Sequence, residues 1–295
     1  MFPIVQVDPA KIIRDEQLGS KNKFWYDNDQ GERWLFKYAR EITPGGEFTG
    51  EDWAEKLGAE IAATLQIPAA QVELAEYETH RGASSKRFLS SSNETLVHGN
   101  EILAGMIGGY DRAKKLHQND HTLDNIFVAF RKFLRRYPYR AAVLGKLAEY
   151  FVFDALIGNT DRHHENWGIT VELTPVPVKA APSFDHASSL GRELPDSKRL
   201  QILQQGRMDA YVRKGRGGIY IQTGDKKGAN PIELVEYAAQ KYPHYFRPAL
   251  AKIAGAEIEK LCALVDAVPP SRMTDVSRQF AKEFLRCSHQ KLTQL

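Results

Sequence analysis

An aspartate and an asparagine stand five residues apart in the polar stretch Gly158-Asn159-Thr160-Asp161-Arg162-His163-His164-Glu165-Asn166-Trp167. A second carboxylate, Asp185, follows within Ser183-Phe184-Asp185-His186. These residue types in this order suit phosphoryl transfer. Asp161 is placed to orient and deprotonate a hydroxyl nucleophile, and the amide oxygen of Asn166 and the carboxylate of Asp185 are hard ligands for magnesium on a triphosphate. A lone Asp and Asn at this spacing more often satisfy the backbone of a turn. Here Asn159, Asp161, Arg162, His163 and Asn166 crowd one loop, and an apolar hairpin leads from it to Asp185, which favours chemistry. His163 is expected to brace the loop by bonding backbone or Asp185. A zinc site would need a further nitrogen or sulfur ligand beside His163 and His164, and the stretch supplies none.

Lys37 lies inside Arg33-Trp34-Leu35-Phe36-Lys37-Tyr38, an apolar strand-like run where an unpaired lysine is costly. A kinase uses such a strand lysine on the nucleotide phosphates and holds it with a helix glutamate. The helical run from Glu51 to Leu65 offers Glu51, Glu55 and Glu60. Upstream, Gly19, Ser20 and Lys21 sit between two strand-like runs. A Gly-Ser turn can aim backbone N–H groups at phosphate, and Lys21 and Lys23 add positive charge. The segment Arg207 to Gly218 is basic and glycine-rich, with Tyr211 and Tyr220 interleaved. It reads as a solvated loop, or as a surface for an acidic or RNA-bearing substrate.

These residues need two kinds of scaffold. Residues 1–90 read as strands with one helix: the 33–38 strand closes a hairpin, and Trp53, Leu57, Ile61 and Leu65 recur every four residues along the helix. Strands over Val72–Thr79 and Ser84–Leu89 are predicted to join at an Arg81-Gly82 turn. Residues 91–295 read as mostly helical, with a hinge near 86–93. The spacing predicts helices over Leu123–Arg136, with Asp120 or Thr122 as cap, over Arg140–Ile157, and over four further stretches after Pro231. A hairpin spans Trp167 to the residues before Asp185. The expected fold is α+β and two-lobed, with a small strand-rich lobe and a larger helical one.

The chain has 295 residues, 42% apolar and 26% charged, an ordinary composition for a folded protein. A net charge of +3 is too small an excess to imply direct DNA binding. Cys262 and Cys287 lack metal-ligand spacing and suit a reducing compartment. The run Phe151–Ile157 is far shorter than the ~20 residues of a membrane span, and the N-terminus has no signal-peptide pattern.

The motif Gly158-x-x-Asp161-Arg162-His163-x-x-Asn166 resembles the catalytic loop of the phosphatidylinositol 3-/4-kinase-like fold. With Gly50-Glu51-Asp52-Trp53-Ala54-Glu55-Lys56-Leu57, Ser85-Lys86-Arg87-Phe88-Leu89 and Leu96-Val97-His98-Gly99-Asn100-Glu101, the pattern is similar to bacterial HipA-like serine/threonine kinases. The resemblance runs from about residue 15 to at least residue 190. It implies an ATP- and magnesium-dependent protein kinase with Asp161 as base, Asn166 and Asp185 on the metal, Lys37 on the phosphates and Glu55 as its ion-pair partner. It also implies that Lys86 to Phe88 hold the adenine and that Ser20 lies in the phosphate loop, where serines of this family can be autophosphorylated. The implied partners are a protein substrate, such as a translation component or a host protein, and an antitoxin. The chain begins almost at the kinase core, so the compact members are the expected kin, cytoplasmic or delivered into a host as effectors. Ser-Phe-Asp-His in place of Asp-Phe-Gly sets it apart from eukaryotic-type kinases. A lipid or small-molecule kinase and a nucleotide-binding regulatory protein are the alternative readings.

Overall fold

The computed structural model describes residues 1–13, 23–41, 48–91, 93–114, 117–135, 137–172 and 178–295. Gly19, Ser20 and Lys21 therefore lie outside the described residues. In chain order the elements are β1 (Ile4–Val7), β2 (Ile12–Ile13), β3 (Lys23–Asp27), β4 (Arg33–Tyr38), α1 (Glu51–Thr64), β5 (Val72–Tyr77), β6 (His80–Lys86), β7 (Glu94–His98), α2 (Gly99–Met106), α3 (Leu123–Phe133) and α4 (Arg140–Ile157). They continue with β8 (Gly168–Glu172), β9 (Val178–Ala180), α5 (Asp196–Gln204), α6 (Met208–Lys214), α7 (Pro231–Lys241), α8 (Pro243–Ala254), α9 (Ile258–Asp266) and α10 (Asp275–Leu292). Among the described residues no helix is long and apolar enough to cross a membrane.

Two compact units emerge. The first comprises Met1–Phe88, Asp185–Arg207 and Glu257–Leu285; the second comprises Leu89–Phe184, Met208–Ala256 and Arg286–Leu295. The first unit thus draws in two segments from beyond residue 90, which a single cut of the sequence does not foresee.

In the first unit a six-stranded sheet runs in the order β1-β5-β6-β4-β3-β2, antiparallel except for the β1–β5 pair. Strand alternation sends Trp34 and Phe36 into an aromatic core with Val7, Tyr26 and Ala75. Lys37 therefore belongs to the opposite face, where its register partner Ala83 packs with Val72 and with Ala59 of α1. The β5–β6 turn falls at Glu78-Thr79, and Arg81-Gly82 lies within β6. Gly82 is required in that strand because a Cβ there would come within 2.3 Å of the Lys37 carbonyl oxygen.

Helix α1 is buried along almost its whole length, not only on the Trp53-Leu57-Ile61 stripe. Part of its cover comes from far along the chain. Arg272 is sunk against it, reaching Asp52 at 3.2 Å, Glu76 at 2.7 Å and the Ala75 carbonyl at 3.3 Å.

In the second unit α4 is buried from Leu147 to Ile157 and stops at Gly158. Gly158 takes the left-handed conformation, φ +68°, and its N–H closes the last turn on the Asp154 carbonyl. Thr122 caps α3 through its side chain, as its residue type predicts. Strands β7, β8 and β9 form an antiparallel sheet whose β8–β9 hairpin follows the polar loop. Sequence patterning missed β7, α2, α5 and α6, and α3 ends at Phe133 rather than Arg136.

Candidate active site

Three ionisable groups meet in the first unit. The ammonium of Lys37 lies 3.2 Å from the Asp185 carboxylate. The Glu55 carboxylate is 2% exposed, and neither of its oxygens has a close hydrogen-bond partner among the described residues. Burial lifts the Glu55 pKa; the Lys37 charge and the backbone N–H groups of Ala187 and His186 oppose that rise without cancelling it. Burial would depress Lys37, but Asp185, Glu55 and Glu51 together raise it, so it stays charged. The direct ion-pair partner of Lys37 is Asp185, then, and Glu55 acts on it as a neighbouring charge. The other two helix glutamates are committed elsewhere. Glu51 pairs with Arg192 at 2.6 Å and Glu60 with Lys56 at 2.7 Å.

The backbone around this cluster is tightly fitted. Asp185 takes a left-handed conformation, φ +61°, uncommon outside glycine though better tolerated by aspartate than by most side chains. Gly58 lies on the same side of α1 as Glu55, one turn on, and a Cβ there would come within 2.5 Å of the His186 Cβ. A larger residue at 58 would push the 185–187 segment off the helix.

In the second unit the polar loop folds on itself. The Asn159 side chain accepts the Asp161 N–H at 3.0 Å, and the Asp161 carbonyl accepts the Asn166 side-chain amide at 2.8 Å. That bond fixes the Asn166 amide and leaves its Oδ1 as the end available to a cation. His163 Nδ1 accepts the Glu165 N–H at 3.2 Å, so this histidine braces the loop through backbone.

Arg162 holds the loop from beneath. It is 3% exposed. It donates to both oxygens of Asp154, to the carbonyls of Asn166 and Phe184 at 2.5 and 2.7 Å, and to the Ser183 hydroxyl at 3.1 Å. The peptide leading into Asp185 is thereby tied to the loop carrying Asp161. Asp154 interrupts an apolar run, and that was the available signal for its role.

A buried histidine fixes the far wall. His121 donates from Nδ1 to the Gly218 carbonyl at 2.7 Å and accepts the Trp167 indole N–H on Nε2 at 3.0 Å, which sets one neutral tautomer. Burial lowers its pKa to about 3, against the Gly218 bond and with help from His164 and His163. Gly218 lies against the loop, 3.1 Å from Arg162 and His163 backbone if a Cβ is built on it. A cavity of about 160 Å³ opens beside Asp161, lined by His117, His121, His163, His164, Gly218 and Tyr220 among others.

The family described as HipA-like C-terminal domain matches residues 11–243. The chain belongs to that family. It is 23% identical over 290 residues to the serine/threonine-protein kinase CtkA of Helicobacter pylori, covering 96% of this chain and 83% of the relative. The crystal structure of the H. pylori proinflammatory kinase CtkA superposes with a TM-score of 0.80 at 20% identity, covering 99% of this chain and 96% of that one. HipA of Shewanella oneidensis, solved with HipB and operator DNA, gives 0.61 at 13% identity; it covers 98% of this chain and 66% of that one. The HipA-like chain thus has the expected α+β kinase-like fold, with a strand-rich and a helical lobe.

Of the expected nucleotide contacts in this HipA-like chain, Lys86 is occupied within the sheet. Its N–H donates to the Gln71 carbonyl at 2.8 Å and its ammonium pairs with Glu32. The Arg87 N–H likewise donates to the Arg33 carbonyl at 2.9 Å. A purine held by this segment would have to use its other groups, of which the half-buried Phe88 ring is one.

Proposed function

We propose that this HipA-like protein is a kinase that transfers the γ-phosphoryl group of ATP to a serine or threonine hydroxyl of a protein. The carrying observation is the Lys37–Asp185–Glu55 cluster. Two carboxylates face one ammonium there, and the buried Glu55 lacks a close hydrogen bond. A hard divalent cation beside Asp185 and Glu55 would hold both carboxylates ionised, which burial alone disfavours at Glu55, and Lys37 is a phosphate-seeking donor beside them.

Asn166 and Asp185 would hold magnesium, which supplies neutralisation of phosphate oxygen charge. Asp161 orients the acceptor hydroxyl and receives its proton as the new oxygen–phosphorus bond forms. The bond from the γ-phosphorus to the β-bridging oxygen breaks, and ADP leaves with that electron pair. Arg162 and His163 touch no reacting atom in this scheme; they hold Asp161 and Asn166 in position. Ser20 would be an autophosphorylation site, where added negative charge repels a triphosphate.

Asp161→Asn is the test. General-base loss is expected to lower kcat by about 10²–10⁴-fold. Nucleotide affinity by calorimetry should stay unchanged, because Asp161 contacts neither base nor phosphate in this scheme. Transfer at the wild-type rate would remove Asp161 from the mechanism.

A further inference from the structure

The cavity beside Asp161 has a floor of unusual build. Gly217 donates its N–H to the Ala229 carbonyl at 2.7 Å, and Ala229 returns a bond to the Ile219 carbonyl at 2.8 Å. Tyr220 bonds the His121 carbonyl at 3.0 Å, and Gly218 is held by the His121 ring. Gly228 packs so closely that a Cβ on it would come within 1.8 Å of the Gly217 oxygen. The glycine-rich stretch is thus pinned from two sides and backs onto the catalytic loop. It is not a solvated tether.

The chain next to those glycines is rich in positive charge. Arg213, Lys214 and Arg216 precede the pinned glycines, and Lys226 and Lys227 precede Gly228. Arg213 is offset by Asp209 and Arg216 by Glu233, and Asp225 lies beside the lysine pair. Lys214, Lys226 and Lys227 are exposed and have no ion-pair partner among the described residues. Such unpaired surface charge selects a partner by charge complementarity and speeds encounter with it. Gly217 and Gly218 answer to the protein's own backbone: a Cβ on Gly217 would come within 3.1 Å of the Ala229 carbonyl oxygen, and one on Gly218 within 3.1 Å of Arg162 and His163.

We propose that this cavity is the acceptor site and that it takes a hydroxyl-bearing residue flanked by Asp or Glu in an extended peptide. The hydroxyl meets Asp161, and the flanking carboxylates meet Lys214, Lys226 and Lys227. The inference rests on the kinase reading above.

The test uses the full chain with magnesium-ATP and three peptides, identical except that the single serine is flanked by acidic, neutral or basic residues. The acidic peptide is expected to have a KM at least tenfold below the neutral one, with the gap narrowing as salt rises. The variant K214E/K226E/K227E should raise the acidic-peptide KM about tenfold or more with kcat little changed, while ATP affinity by calorimetry is retained. A preference for neutral or basic flanks, or an unchanged KM in the variant, overturns the acidic-peptide site and leaves the kinase reading standing. Absence of any ADP formation or phosphoryl transfer by the wild-type protein overturns both.

Discussion

Arg162 grips Asp154 with two parallel hydrogen bonds, Nε to Oδ2 and Nη2 to Oδ1, each 2.7 Å long. Both side chains are about 95% buried, at 4% and 5% exposure. A buried pair of this kind contributes little net stability against an apolar substitute, but removing one partner strands the other charge. Asp154→Ala is therefore expected to lose about 3–5 kcal/mol of folding stability. Urea unfolding within 1 kcal/mol of wild type would show that the pair is not load-sharing in this way. Arg162→Lys keeps the charge but loses the fork that also holds Asn166 and Phe184. It should lower kcat more than it raises the KM for ATP, as steady-state kinetics would reveal.

Gly58→Ala sets two effects against each other. Alanine favours a helix interior by about 1 kcal/mol over glycine. Against that, the new methyl would meet His186 at 2.5 Å, in a packed interior where overpacking costs about 1–3 kcal/mol. The clash should win and displace Asp185 from Lys37. Weaker magnesium-dependent ATP binding is expected by calorimetry, and a stabilised variant with wild-type affinity would contradict the tight fit.

Glu55 should leave a mark on the pH dependence of stability. Its pKa in the folded protein lies above the ordinary 4.5, chiefly through burial. Between those two values the folded state keeps a proton that the unfolded state has released, so stability falls as pH rises through that window. Glu55→Gln should flatten the fall without nucleotide present. Parallel stability curves for variant and wild type over that range would count against it.

His121 acts in the opposite sense. Its pKa falls from 6.5 unfolded to about 3 folded, chiefly through burial. The stabilisation is complete above 6.5 and is lost as pH drops toward 3, because the unfolded state then takes up the proton first. Protonation would also break the Trp167 bond. His121→Asn preserves a donor for Gly218 and removes the titration, so acid unfolding should become less steep from about pH 6.5 downward. Hydrogen exchange should register the change first at residues 217–220. An unaltered acid limb would argue that His121 does not bear on it.

The local part of this design was legible in the sequence. The run Arg140 to Ile157 followed by glycine gave α4 its true ends, and of the two caps the sequence offered for α3, Asp120 and Thr122, the structure uses Thr122. The loop that we propose carries the chemistry drew notice in the sequence because its polar residues are crowded within one short stretch. What stayed hidden depends on segments far apart in the chain. The partner of Lys37 is Asp185, 148 residues away. The burial of α1 on several sides depends on Arg272 and its neighbours. Gly82 resembled a turn residue and proved to be a strand residue, since its lack of a side chain answers to a neighbouring strand. The pinning of Gly218 by His121 left no pattern in either segment.

The first unit is assembled from three stretches of chain, the last ending at Leu285. A ribosome delivers Lys37 and Glu55 early, Asp185 in mid-synthesis, and Arg272 near the close. Asp52 is paired with Arg81 at once but meets its second guanidinium only when that final stretch emerges. The unit that holds Lys37, Glu55 and Asp185 thus cannot close its packing until the stretch Glu257–Leu285 has been made. Most of the chain must be made before the buried Asp52 has both of its guanidinium partners.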